Sequence, residues 1–194
     1  CNTAASVALH ELAEELPVPV LGVVEPGARA LVRATQNGKV GVIGTVGTIS
    51  SGAYVQAIRD TKANVALTSA ACPGFVEFVE RGETSGEAIT QVAREYLQPM
   101  IEADVDTLVL GCTHYPLLTG VISYVMGNGV SLVSSAEETA KDLYRVLVEG
   151  SLLRSAGEAA PSHRFLATGD AKAFEGLARR FLGPEVGSVQ HQDL

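Results

Sequence analysis

Short runs of apolar, mostly β-branched residues alternate along this chain with longer stretches whose apolar positions recur every three to four residues. The first kind reads as strand and the second as helix. Strands are predicted at Val18–Val24, Lys39–Gly44, Asn64–Thr68, Thr107–Gly111, Ser131–Val133, Arg164–Ala167 and Val186–Val189. Helical spacing first links Val7, Leu9 and Leu12. It returns over Pro26–Gln36, with a proline in the first turn, and over roughly Ser51–Asp60. Further helices are predicted at Pro73–Glu80, Gly86–Ala103 (broken late by Pro99), Leu117–Met126, Ala136–Val148 and Lys172–Phe181. Gly150–Ser162 is small and polar and reads as a loop.

Strands that are apolar almost throughout, each followed by a helix, imply an α/β fold with mainly parallel sheets covered by helices on both faces. In such sheets ligands gather at the carboxyl ends of the strands. Residues just after strands therefore carry the functional argument.

Composition narrows the classes. Of 194 residues, 46% are hydrophobic, enough for one or two ordinary domains. Acidic residues outnumber basic ones by 22 to 14, giving a net charge of −8. An acidic chain without a Lys/Arg cluster argues against nucleic-acid and membrane-surface binding. No apolar run approaches the length of a membrane span and no signal peptide is visible, so a cytoplasmic location is expected. The cysteines are Cys1, Cys72 and Cys112. Three at wide spacing do not make a disulfide framework, and each reads as a free thiol.

Three short motifs stand out. Cys1-Asn2-Thr3-Ala4 opens a helical stretch. Asn2 or Thr3 could cap that helix, or the helix-start N–H groups and these side chains could hold a carboxylate and acidify the neighbouring thiol. Gly44-Thr45-Val46-Gly47-Thr48 follows the strand Lys39–Gly44 and resembles a small anion cradle, though such turns are also common caps. Gly111-Cys112-Thr113-His114-Tyr115-Pro116 follows the strand Thr107–Gly111. There a histidine two residues from a thiol can poise it or relay its proton. Half of a metal site is the other reading of Cys112 and His114, but the paired ligand spacing of zinc sites is missing, and no metal is expected.

Taken in order, Cys1-Asn2-Thr3-Ala4, GVIGTVGTISSGAY, LVLGCTHYPLL and SSAEETA resemble successive signatures of the glutamate racemase family. The resemblance runs over essentially the whole chain. It implies a cofactor-independent interconversion of L- and D-glutamate, serving peptidoglycan synthesis, by two thiols on opposite faces of the α-carbon. Cys1 and Cys112 match the family's two catalytic cysteines. Asn2, Thr3, Thr45, Thr48, Thr113 and His114 match residues that bind substrate. His114 also matches the histidine that assists the second thiol, and Glu80 a glutamate that orients that histidine. Cys72, in Ala71-Cys72-Pro73, is expected to be structural. By the same resemblance a homodimer is expected, and DNA gyrase is admitted as a protein partner by family analogy alone.

The family also carries an N-terminal segment with an Asp-Ser-Gly and a Pro-Tyr-Gly motif, neither of which occurs here. On that basis residues 1–24 and 135–194 are expected to form an incomplete first domain and 25–134 a second, with the site in the cleft between them. The polypeptide by itself is then expected to be weakly stable and nearly inactive. The alternatives are a related racemase acting on aspartate and a non-catalytic protein-binding module that keeps the fold.

Overall fold

A strand covered on both faces has no solvent side to reserve for polar residues, so its burial should be continuous rather than alternating. Two segments behave this way. In β1 (Lys39–Gly44) every residue after Lys39 is buried, and in β3 (Thr107–Gly111) all five are buried. These are the two central strands of a parallel four-stranded sheet of order β2-β1-β3-β4. The flanking strands β2 (Ala66–Ala71) and β4 (Ser131–Ser134) are only partly buried, as edges should be. The computed structural model describes residues 1–155, 157 and 159–193. The chain divides into two units, Cys1–Leu152 and Leu153–Leu194.

In the first unit, α1 (Asn2–Glu15) precedes α2 (Val24–Ala34), whose buried Val24, Ala28 and Leu31 cluster with Val40, Val42, Val109, Tyr54 and Ile58. Short α3 (Val46–Ser50) and α4 (Ala53–Asp60) link β1 to β2. Next come α5 (Gly74–Arg81) and α6 (Glu87–Glu102), which bury Phe75, Val79, Ile89, Ala93, Leu97 and Met100. A 3-10 turn at Tyr115–Leu118 leads into α7 (Thr119–Met126), and α8 (Ser135–Glu149) follows β4. The turn between α2 and β1 is held by one carboxylate. Asp106 accepts from Thr35 Oγ1 (2.6 Å), Gln36 N (2.7 Å), Asn37 N (2.6 Å) and Thr107 Oγ1 (2.9 Å). Burial alone would raise its pKa, but these donors outweigh it and hold the group at about 2.

The second unit is a single βαβ crossover. Parallel strands β5 (Phe165–Ala167) and β6 (Val189–His191) are joined by α9 (Ala171–Leu182) and a 3-10 turn at Gly183–Glu185. Asp170 caps α9 by accepting from the N–H groups of Lys172 and Ala173.

The α/β class and the parallel sheets match the reading of the sequence; several segments differ. Val18–Val24 is not a strand: residues 18–22 are irregular and Val24 already opens α2. Pro17 and Pro19 offer no N–H to a ladder, which defeats the β-branched composition there. Pro99 does not break α6, because it falls in the last turn, and Ala103 N–H still reaches the Pro99 carbonyl at 3.1 Å. The last strand starts at Val189 rather than Val186, which is buried and closes the preceding 3-10 turn through an N–H bond to the Gly183 carbonyl at 3.4 Å. The predicted loop Gly150–Ser162 contains two positions, 156 and 158, that lie outside the described residues.

Candidate active site

Strand order reverses direction between β1 and β3: β1 leads outward to β2, and the chain then returns to place β3 on the other side of β1. The carboxyl ends at such a reversal splay their following loops apart and leave a crevice. Here the two ends are level, with Gly44 paired to Gly111. Thr45 follows one glycine and Cys112 the other. A Cβ on Gly111 would meet the Ile43 carbonyl oxygen at 2.8 Å and the Tyr54 ring at 3.1 Å, so only glycine lets the chain turn here.

A cavity of about 140 Å³ lies at this crevice, lined by Cys1, Asn2, Thr3, Thr45, Val76, Gly111, Cys112, Thr113 and His114. Both predicted catalytic thiols face one space. Cys1 is exposed and serves as the N-cap residue of α1, with no side-chain cap bond. Asn2 and Thr3 are therefore inside the helix and neither caps it. Cys112 is buried. Burial pushes its thiol pKa up, opposed by the N–H groups of His114 and Tyr115. The neutral thiol is accordingly the resting form of Cys112 at neutral pH.

His114 bridges Cys112 and Glu80. Its Nδ1 lies 3.8 Å from Cys112 Sγ, and its Nε2 lies 3.3 Å from Glu80 Oε1. If Nε2–H donates to the carboxylate, Nδ1 is the acceptor facing the thiol, an arrangement suited to moving a proton on and off sulfur. Glu80 comes from α5 and does not line the cavity; it meets the site through the imidazole.

The threonines form a ring of hydroxyls. Thr3 Oγ1 is 2.7 Å from Thr45 Oγ1 and 3.1 Å from Thr48 Oγ1, and Thr45 and Thr48 are 3.1 Å apart. Thr45 also caps α3 by accepting from Thr48 N–H. The cap reading of this loop thus holds at Thr45. Thr3 and Thr45 reach the cavity. Thr48 is 1% exposed and sits behind them, so its hydroxyl orients theirs rather than facing the open space.

Asn2 is 2% exposed and its side-chain amide is committed at both ends. Its oxygen accepts from Tyr54 Oη at 2.8 Å, and its nitrogen donates to Ser135 Oγ at 3.1 Å. Ser135 in turn donates to the Leu110 carbonyl at 3.1 Å. Tyr54, Ser135 and the cavity-lining Val76 are absent from the predicted site. Tyr54 and Ser135 do lie in the GVIGTVGTISSGAY and SSAEETA stretches, but nothing in one sequence marks them as polar partners inside a core. Cys72 is set apart from the cavity. It is fully buried, its carbonyl accepts from Tyr115 Oη at 2.8 Å, and burial pushes its thiol up to about 12.

Among the described residues, no three His, Cys, Asp or Glu side chains converge as metal ligands would. Nor is any helix there long and apolar enough to cross a membrane.

Comparison with known proteins points one way. A sequence model of the family described as Asp/Glu/Hydantoin racemase matches residues 1–143. A glutamate racemase of a Parafrankia species is 56% identical over 189 residues, covering 97% of this chain and 68% of the relative. A glutamate racemase of Acidothermus cellulolyticus is 54% identical, covering 97% of this chain and 72% of the relative. The solved structure of a glutamate racemase from Bacillus anthracis superposes with a TM-score of 0.92 at 44% identity, covering all of this chain and 72% of that one. One from Francisella tularensis, solved in complex with D-glutamate, gives 0.90 at 31% identity, covering 100% and 71%. This chain belongs to the Asp/Glu/Hydantoin racemase family, among its glutamate racemases.

Proposed function

We propose that the chain interconverts L- and D-glutamate by removing the α-proton with one cysteine and returning a proton to the opposite face with the other. The observation that carries this reading is a cavity of about 140 Å³ lined by both Cys1 and Cys112. One base alone tends to return a proton to the face it came from. Two sulfurs, one as thiolate and one as thiol, allow inversion, and each turnover leaves the pair set for the reverse direction.

In one direction Cys112, as the thiol, donates while Cys1, as the thiolate, takes the α-proton; the electron pair left on carbon spreads into the substrate α-carboxylate. In the reverse direction His114 draws the proton from Cys112, with Glu80 holding the ring. The α-carbon acid is far weaker than a thiol, so the developing negative charge needs donors aimed at it in advance. In this reading Thr3, Thr45 and Thr113, which line the cavity, supply them. Asn2 acts through its fixed side chain, which positions the start of α1. In this reading residues 1–24 and 135–194 carry the first thiol and residues 25–134 the second, and D-glutamate made here feeds peptidoglycan synthesis.

Each enantiomer of glutamate incubated with the chain in D2O should lose its α-proton signal in the NMR spectrum and acquire the opposite configuration. Cys112→Ser should lower inversion by about a thousandfold or more, given the usual contribution of a positioned acid–base group. Undiminished inversion by Cys112→Ser would sink the two-thiol mechanism. Preference for aspartate over glutamate would move the chain to the related racemases.

A further inference from the structure

A buried relay through Asn2, at the cavity wall, joins the two thiols by way of Ser135, which does not line the cavity. Asn2 is the residue after Cys1. Its amide donates to Ser135, at the start of α8, and Ser135 donates to the carbonyl of Leu110, two residues before Cys112. Tyr54, on α4, closes the other end by donating to Asn2 Oδ1, and its ring lies against the Gly111 position. All three side chains are buried: Tyr54 is 3%, Asn2 2% and Ser135 2% exposed. Every polar atom in the relay has a partner, and the hydrogen-bond lengths lie between 2.8 and 3.1 Å.

A buried polar network is a costly way to fill space, since apolar side chains of the same shape serve stability as well or better. What such a network does supply is fixed geometry, because each group has one low-energy arrangement. Cys1 needs this more than Cys112. It is exposed, it precedes the first helical residue, and its side chain makes no cap bond. Cys112 directly follows a fully buried strand. Thr3 and its hydroxyl ring hold the same helix start from another side.

We infer that Ser135 and Tyr54 are positioning residues that hold Cys1 at a fixed distance and direction from Cys112, through Asn2 on one side and the Leu110 carbonyl on the other. The inference rests on the two-thiol reading for its catalytic consequence, but not for its geometric content. Neither residue touches the cavity, so each acts through its neighbours. Two bases on opposite faces of one carbon tolerate little error, and a displacement of about 1 Å can cost on the order of a hundredfold.

Two readouts test this on the full chain and its Ser135→Ala and Tyr54→Phe variants. The first needs no turnover. Dibromobimane, a short reagent with two alkylating arms, is added and the Cys1–Cys112 bridged peptide is quantified by mass mapping. Single-arm alkylation of each cysteine by iodoacetamide is measured alongside, and Cys72, buried with a thiol pKa near 12, serves as the unreactive internal standard. The bridged yield should fall about tenfold in Ser135→Ala and by less in Tyr54→Phe, with single-arm rates unchanged. Equal bridging in all three proteins would overturn the inference. If Ser135→Ala fails to fold, Tyr54→Phe decides, since it removes one oxygen atom and no packing volume.

The second readout follows both products of glutamate in D2O. Loss of alignment should lower inversion more than α-hydrogen exchange with retention. A merely structural role would lower the two in proportion, and that result would count against positioning. No exchange and no inversion by the unsubstituted chain would defeat the proposed function, while the bridging yields would still decide the geometry.

Discussion

The two units use the same βαβ logic with opposite outcomes. In the unit Cys1–Leu152 the central strands β1 and β3 are buried nearly end to end and are covered by helices on both faces. In the unit Leu153–Leu194 a single helix accompanies two three-residue strands, and Leu166, Phe174 and Leu182 remain 44–58% exposed. The fully buried residues of the second unit are few: Ala178 and Val186 are its members of the buried core among the described residues. A parallel sheet becomes rigid when both faces are packed, and that rigidity lets the short loops after β1 and β3 hold Cys112 and the threonine hydroxyls in place. The candidate site lies wholly on the unit that meets this condition.

Equivalent truncations in the two sheets should sharpen the contrast most. Leu108, in β3, is fully buried, whereas Leu166, in β5, is 44% exposed. Leu108→Ala should lower the unfolding free energy by about 2–5 kcal/mol, as core leucine truncations do. Leu166→Ala should cost less than about 1 kcal/mol. Urea unfolding followed by circular dichroism checks both. Equal losses would mean that the second unit depends on its apolar strand as strongly as the first, and the comparison above would fail.

A smaller effect is expected from Asp106, which ties the α2–β1 turn to the base of the site-bearing sheet. Asp106→Ala leaves four donors without their acceptor and should cost about 1–3 kcal/mol. Its pH dependence has a definite sign. The carboxyl sits at about 2 in the folded chain against 3.8 for an unperturbed aspartate. The unfolded state therefore binds the proton first as pH falls, and the contribution is present above about pH 4 and lost between there and pH 2. Acid titration of stability should show that loss in the unsubstituted chain and a flatter profile in Asp106→Asn. Identical profiles would show that the turn does not depend on the charge.

How much of this was legible follows from how local each cause is. β1 and β3 are visible in the sequence because continuous burial leaves a continuous apolar run. Cys112 and His114 are visible because a strand end puts residues two apart on one turn. Val18–Val24 misleads because its composition is β-like while Pro19, inside it, cannot join a ladder. The Asn2–Ser135–Leu110 relay was out of reach: its members stand 133 and 25 residues apart, and a serine or tyrosine looks the same in a sequence whether it meets water or a buried amide. Thr48 shows the intermediate case. Its motif resembles an anion cradle, but only packing reveals that it stands behind Thr3 and Thr45 rather than beside them.

The smallest expected effect isolates the second unit from the chemistry. Asp170 caps α9 with two hydrogen bonds, 2.9 Å to Lys172 N–H and 3.0 Å to Ala173 N–H. Asp170→Ala should cost about 1 kcal/mol, the usual value of an N-cap. Hydrogen exchange should place that loss in residues of α9 and its flanking strands, with amide protection in β1 and β3 unchanged. Because the thiol cavity is built from residues of the first unit alone, the rate at which iodoacetamide alkylates Cys112 should also be unaffected. Faster exchange in β3, or a changed Cys112 rate, would show that the stability of the small crossover reaches the thiols. The division between a rigid site-bearing sheet and a marginal βαβ unit would then have to be abandoned.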